Sequence, residues 1–230
     1  AELFEKKYPE RFVQCFIAEQ NMIRMAIGLA ARGFMPFVST FSCFFTRAFD
    51  QIRMAAISNS PLRLVGSHAG ISIGHDGPSQ MGLEDMAMMR TLPDSVVLYP
   101  SDAMSTYKLV EQMANYHKGI SYLRTTRMPT KIMYDEREQF PIGGCKVLRH
   151  PKQSRAVLVA AGITLHEALK AADILEKKNI NVSVIDLYSI KPLDIKTILQ
   201  VAADSSNTII MIEDHYQAGG IGEAVSSAVS

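Results

Sequence analysis

The sequence predicts an α/β protein made of two doubly wound domains with mainly parallel sheets. Short apolar runs alternate with amphipathic runs of helical period, and the alternation occurs twice. Between the two series lies a stretch rich in charge and proline that closes on Gly143-Gly144, which has the composition of a linker. The 230 residues are 47% hydrophobic and 20% charged, enough apolar material for one large or two moderate cores. The expected division is a first domain over residues 1–130, a linker over 131–143 and a second domain over 144–230.

The first apolar run, Phe12 to Ile17, reads as a strand. Behind it Ile23, Ala26, Ile27 and Ala30 fall at i, i+3, i+4 and i+7, the buried stripe of a helix. Glu19 then stands at the carboxyl end of a parallel strand and near a helix start, where open α/β sheets place their ligands. A Glu favoured there only by the helix dipole is the plainer alternative. Met35 to Val38 is the next short strand, with Ser39-Thr40 as a helix cap. Phe41, Phe44, Phe45 and Phe49, backed by Ala48, Ile52, Ala55, Ala56 and Ile57, have the spacing of a buried helix face, so most of these aromatics are expected in the core.

Leu62 to Val65 is a strand that opens into a long polar loop, Gly66 to Gln80. Its four glycines and one proline permit tight turns and close backbone approach to a ligand. Long loops of this kind inside compact domains are usually functional, and Ile71 and Ile73 argue against disorder. His68, His75 and Asp76 are metal-ligand types, but no pair has i, i+4 spacing and no Cys is near, so metal binding by these alone is not expected. Met81 to Met89 is a helix, Ser95 to Leu98 a strand, and Tyr99-Pro100-Ser101-Asp102 leads into a helix ending near Tyr116. The strand Gly119 to Leu123 ends in Arg124-Thr125-Thr126-Arg127. Arginine there suits bidentate recognition of phosphate or carboxylate, with a solvated surface Arg as the alternative.

In the second series Ala156–Ala160, Ile180–Ile185 and Thr208–Ile212 are strands, with helices over Thr164–Lys178 and from Pro192-Asp194. Glu213-Asp214-His215-Tyr216 follows the last strand, and Gly219-Gly220-Ile221-Gly222 opens a final helix. That glycine cluster could cradle an anion or merely allow tight packing; it lacks the spacing of a dinucleotide fingerprint and the Lys-Ser/Thr of a phosphate loop. His215 is expected to be structural. The final helix runs to Ser230 and the first residue is Ala1, so the chain is expected to be part of a longer protein.

Composition removes several classes. With 24 basic and 23 acidic residues and no block of like charge, there is no nucleic-acid footprint. No apolar run approaches the roughly 20 residues of a bilayer span, and no membrane association is expected. Cys15, Cys43 and Cys145 are widely spaced and odd in number, which fits a reducing, cytoplasmic setting; Cys15 and Cys43 read as small core residues.

Six blocks together resemble the transketolase family: Ile17–Met22, Ser39–Phe41 with Phe44–Arg53, Gly66–His68, Asp76–Gln80, Tyr99–Asp102 and Glu213–Ala224. The resemblance spans the whole chain. It implies the later part of a pyrimidine-binding domain of the thiamine-diphosphate fold, then an incomplete transketolase C-terminal-like domain. It also implies thiamine diphosphate with Mg2+ or Ca2+, and transfer of a two-carbon ketol unit between sugar phosphates of the xylulose 5-phosphate and ribose 5-phosphate class. By resemblance Glu19 meets N1′ of the aminopyrimidine ring and shares a proton there, which lets the ring act as a base. Phe44 stacks on the ring, Phe41 lines the same pocket and Gln80 is a polar contact to the cofactor. His68 and Arg127 grip the sugar's terminal phosphate, and Asp76 reads a hydroxyl beside the carbonyl.

Two positions depart from the family: His75 stands where Glu is usual, and Ala69 where Cys or Asp is frequent. The Gly-Asp-Gly motif and downstream Asn that hold the cation in the family's diphosphate-binding domain do not occur in these residues. The chain is therefore expected to carry half a site, completed by a diphosphate-binding domain or subunit, with a homodimer as the expected assembly. A deoxyxylulose-phosphate synthase or the β subunit of a 2-oxo acid dehydrogenase is a second reading, disfavoured by Asp76–Gln80 with Met81, Glu84 and Asp85. A catalytically silent assembly subunit is a third.

Overall fold

A computed structural model describes residues 2–230 and shows two mostly parallel α/β units. In the first, strands β1 (Phe37–Phe41), β2 (Arg63–Ser67), β3 (Val96–Leu98) and β4 (Ser121–Arg124) run parallel in the order β1-β2-β4-β3. Helices α1 (Glu2–Lys7), α2 (Glu19–Ala31), α3 (Phe49–Ile57), α4 (Asp85–Arg90) and α5 (Ala103–Asn115) accompany them. The second half supplies β5 (Lys146–Arg149), β6 (Val157–Ala160), β7 (Ser183–Asp186), β8 (Ser189–Lys191) and β9 (Ile209–Ile212), with α6 (Ile163–Glu176), α7 (Ile195–Ala203) and α8 (Ile221–Val229). Its sheet has the order β5-β7-β6-β9, with β6 parallel to β7 and β9, and β5 antiparallel to β7.

The two units are joined in three ways. β8 leaves its own unit and pairs antiparallel with β3, extending the first sheet. One apolar core is continuous across both, with Ile23, Ile52, Leu64 and Val97 in the same cluster as Val159, Ile185, Ile198 and Ile221. Each such buried aliphatic side chain contributes about 1.5–3 kcal/mol, so separating the units would expose several at once. The segment between them is packed as well. Tyr134 and Phe140 are buried, and the backbone N–H groups of Met133 and Tyr134 donate to Asp102 Oδ2 at 2.7 and 3.0 Å.

Asp102 is also the N-cap of α5, where Oδ1 accepts the Ser105 N–H at 2.7 Å in a reciprocal capping box. At the other end of that helix, buried Arg63 donates to the carbonyls of Met113 and Tyr116, neutralising the negative helix terminus.

Several local expectations are corrected. Phe12–Ile17 forms no strand, because β1 is the edge of the sheet and the run pairs with nothing; Phe16 and Ile17 are 87% and 86% exposed. Ser39 and Thr40 lie inside β1 rather than capping a helix. The chain then makes 3-10 turns over Ser42–Ala48 before α3 begins, and only Phe45 of the four phenylalanines is fully buried. The helix expected from Met81 starts at Asp85. Cys43 is a core residue, whereas Cys15 is half-buried. Among the described residues no helix is long and apolar enough to cross a membrane.

Asp186, at the end of β7, is fully buried and accepts hydrogen bonds from Ser101 at 2.9 Å and from the Tyr134 hydroxyl at 2.5 Å. Burial pushes its carboxyl up to about 7, with the Tyr134 and Ser101 hydrogen bonds only partly opposing. The folded state therefore keeps this proton after the unfolded chain has lost it. Stability from this group is full below about pH 4, falls as pH rises to about 7, and is flat above, a loss on the order of 4 kcal/mol. Denaturant unfolding at pH 4.5, 6 and 8 should show Asp186→Asn gaining on the wild type as pH rises. A difference that does not change with pH would mean that Asp186 is ionised throughout.

Candidate functional site

Glu19 is the first residue of α2, and the preceding Ala18 offers no side-chain cap. An acidic residue in the first turn of a helix is favoured by the helix dipole. Glu19 is only 8% exposed, and Oε1 accepts a hydrogen bond from Arg47 Nη1 at 3.1 Å. The carboxylate forms part of the wall of a cleft of about 440 Å³, with Phe16, Ile17, Phe41, Phe44 and Ser67 around it. That volume is in the range of small-ligand sites.

One side of the cleft is an aromatic shelf. Phe41 and Phe44 are nearly parallel, 4° apart with centroids at 5.5 Å, and the His68 ring lies 3.8 Å from Phe41 at 17°. The Arg47 guanidinium lies 4.6 Å from the Phe44 centroid, closing the stack with a cation–π contact. The sequence explains this shelf: the tight turns over Ser42–Ala48 bring Phe44 beside Phe41 while turning Phe45 into the core. The short turn Pro78–Gln80 packs on this same segment, and Gln80 Oε1 takes the Ser79 hydroxyl.

The loop after β2 begins at Ser67, whose Oγ lies 3.0 Å from His68 Nδ1. His68 has a left-handed backbone, φ 58°, which is uncommon for a residue with a Cβ and throws its ring back onto Phe41. Burial holds the His68 imidazole below its ordinary pKa, the Arg127 charge adds to this, and Asp76 opposes it. Asp76 forms an ion pair with Arg127, and His75 Nε2 is 3.3 Å from its other oxygen. The Arg127 hydrogen bond holds the Asp76 carboxyl below the usual carboxylate range. Arg127 also donates to the Ile73 carbonyl at 3.3 Å, so the loop and the turn after β4 are tied together. Among the described residues no three His, Cys, Asp or Glu side chains are grouped so as to hold a metal ion.

The structure thus gathers Glu19, Phe41 and Phe44 in one cleft, with His68 stacked on its shelf, and pairs Asp76 with Arg127. Arg124 is not available to a ligand: its side chain is wholly buried, donating to Asp85 and Asp214. The glycine cluster before α8 holds an internal anion, since Glu213 accepts the N–H groups of Ile221 and Gly222 and Gly219 packs on Ala87. The His215 side chain is buried, with Nδ1 2.7 Å from the Tyr216 carbonyl and Nε2 3.7 Å from Asp85 Oδ1. Arg47, Ser67 and Phe16 were not singled out from the sequence. Arg47 had a signal, standing three residues beyond Phe44 in the same turn.

A buried carboxylate at the edge of a shelf of parallel rings fits a flat heteroaromatic ring that both stacks and shares a proton. Fold and cleft define a two-unit α/β protein whose first unit carries a cleft suited to an aromatic nitrogen ring. The family "Transketolase, pyrimidine binding domain" matches residues 1–131, and "Transketolase, C-terminal domain" matches residues 145–230. This chain belongs to the transketolase family. It is 55% identical over 230 residues to the Homo sapiens protein named transketolase, covering 100% of this chain and 37% of that protein. It is 53% identical over 231 residues to transketolase-like protein 1 of Bos taurus, covering 39% of that protein. The chain therefore spans little more than a third of the curated relatives it matches. Among solved structures, a split-gene transketolase described as an inactive beta4 tetramer superposes with TM-score 0.89 at 34% identity, covering 98% of this chain and 72% of that one. A Pichia stipitis transketolase in complex with sedoheptulose 7-phosphate superposes with TM-score 0.68 at 25% identity, covering 74% of this chain and 26% of that one.

The Glu19–Arg47 pair is half-exposed on the arginine side, and such pairs contribute about 0–1 kcal/mol. Arg47→Gln should therefore lower Tm by no more than about 4 °C. A loss well beyond that, read by thermal unfolding of the chain, would mean that Arg47 holds the fold rather than the cleft.

Proposed function

We propose that this chain is the pyrimidine-side portion of a transketolase, with residues 1–130 as the pyrimidine-binding unit, 131–143 as connector and 144–230 as the C-terminal-like unit. The observation that carries the reading is the buried Glu19 carboxylate beside the parallel Phe41 and Phe44 rings. Thiamine diphosphate, when bound, supplies the acidic carbon that carries a two-carbon ketol unit from a ketose phosphate to an aldose phosphate. Glu19 holds the proton exchanged with the ring nitrogen, Phe44 and Phe41 fix the ring's plane, and Gln80 offers a polar contact. His68 and Arg127 take the sugar's terminal phosphate. Arg127 carries five N–H donors, so it can keep Asp76 and accept phosphate oxygens together. Asp76 accepts from a substrate hydroxyl, a contact that rejects sugars lacking it.

None of these residues offers a cradle for a diphosphate or its Mg2+ or Ca2+. Those belong to a diphosphate-binding domain or subunit, in a cytoplasmic assembly that we take to be homodimeric in its pairing of sites. The split-gene neighbour supports a half-site in each chain, since that protein, of which this chain covers nearly three-quarters, is described as inactive in its beta4 form. The same observation favours a second reading, an assembly subunit without turnover of its own.

With a transketolase diphosphate-binding partner supplied, the chain should turn over xylulose 5-phosphate and ribose 5-phosphate, and alone it should not. Glu19→Ala in that assembly should cut kcat by about 10²-fold or more, the usual scale for a positioned acid–base group. Activity surviving Glu19→Ala would make the catalytic assignment wrong. Tight thiamine diphosphate binding by the chain alone would contradict the half-site. Failure of every diphosphate-binding partner to restore turnover would favour the silent subunit.

A further inference from the structure

The second unit contributes no side chain to the cleft, yet one of its carboxylates supports the substrate loop from behind. Asp214 follows β9 and is buried. Its Oδ1 accepts Arg124 Nη1 at 2.8 Å, its backbone carbonyl accepts Nη2 at 2.9 Å, and the Tyr99 hydroxyl donates to the same carboxylate. Arg124 also donates through Nε to Asp85 and through Nη2 to the Gly82 carbonyl at 3.2 Å. Its guanidinium rests 4.5 Å from the Tyr99 ring centroid.

Both ends of the loop that carries His68 and Asp76 are fastened to this cluster. At the start, the Gly70 N–H bonds the Met81 and Gly82 carbonyls, and a Cβ at Gly70 would lie 1.7 Å from Asp214 Oδ2. At the finish, Gly82 is held by Arg124 itself. Arg127, the residue paired with Asp76, is three positions beyond Arg124 on the same turn. A glycine at φ +79°, pressed against a carboxylate from the other unit, is a close approach that admits no side chain.

We infer that Asp214 is a positioning residue for the phosphate-gripping pair His68 and Arg127, acting through Arg124 and Gly70 from the C-terminal-like unit. The inference rests on the proposed role of His68 and Arg127. Removing the Asp214 charge leaves Arg124 short of one buried partner. The turn bearing Arg127 and the start of the loop then lose their common anchor, while the cleft around Glu19 keeps its own contacts. The expected defect is in phosphate affinity rather than in turnover.

The test uses Asp214→Asn, with Tyr99→Phe as a milder variant that removes one hydrogen bond to Asp214 and leaves the ion pair. Inorganic phosphate is titrated into the chain and followed by the imidazole NMR signals of His68. In the assembly with a diphosphate-binding partner, KM for ribose 5-phosphate and kcat are measured. Asp214→Asn should weaken phosphate binding and raise KM by about tenfold, with kcat within about twofold, and Tyr99→Phe should give a smaller change in the same direction. If Asp214→Asn does not fold, Tyr99→Phe decides, and an unchanged phosphate affinity there overturns the inference. Equal losses in kcat and affinity, with hydrogen exchange rising throughout α5 and β6, would also overturn it, as the mark of a purely structural residue. Failure of the functional reading looks different: wild-type phosphate would then leave the His68 signals unmoved.

Discussion

A guanidinium taken wholly out of water must be met by anions, and Arg124 meets that constraint by drawing them from both halves of the chain. Asp85 comes from the start of α4, and Asp214 arrives from beyond β9. Tyr122 donates to Asp85 at 2.6 Å and Tyr99 to Asp214, so the surplus negative charge is itself hydrogen-bonded. Buried ion pairs of this kind contribute little net stability, since desolvation offsets attraction. Their consequence is geometric: with one partner removed the cluster is left badly unsatisfied, so only one docking of the two units satisfies it. The strand β8, crossing to pair with β3, and the shared apolar core enforce the same docking.

The sequence made the α/β class and most of the strand–helix order legible, because buried parallel strands are short uninterrupted apolar runs, as at Val96–Leu98 and Val157–Ala160. It misled where an apolar run had no partner. Phe12–Ile17 carries a strand's composition, but a strand exists only when another edge pairs with it. β5 and β8 were missed for the opposite reason. Lys146–Arg149 and Ser189–Lys191 are short, carry lysine or arginine, and earn their strand geometry from neighbours far away in sequence.

The site divided along a similar line. Glu19, Phe41, Phe44, His68, Asp76, Gln80 and Arg127 were nameable because family resemblance marks residue types at fixed spacing. Arg124 and Arg127 look alike as letters, three apart at one strand end, and only burial separates them. Arg124 points inward to Asp85 and Asp214, while Arg127 stays partly exposed beside Asp76. No periodicity in the sequence distinguishes a guanidinium that holds two units together from one partly open to solvent. Asp214 was similarly invisible as a supporting residue, since its partner lies ninety positions away.

The charges in this chain fall into two groups with different liabilities. Glu19 with Arg47, and Asp76 with Arg127, are pairs with one or both members partly open to solvent, where water can replace a lost partner. Either partner of such a pair can be exchanged at little cost, so self-pairing keeps these charges satisfied without locking them in place. Arg124 is paired where no water can replace a lost partner, and truncating such a pair costs about 3–5 kcal/mol. A partly exposed guanidinium three residues from a buried one combines both properties. The exchangeable guanidinium can change partners, and its backbone cannot drift, because the turn that carries it is fixed by a pair that does not exchange.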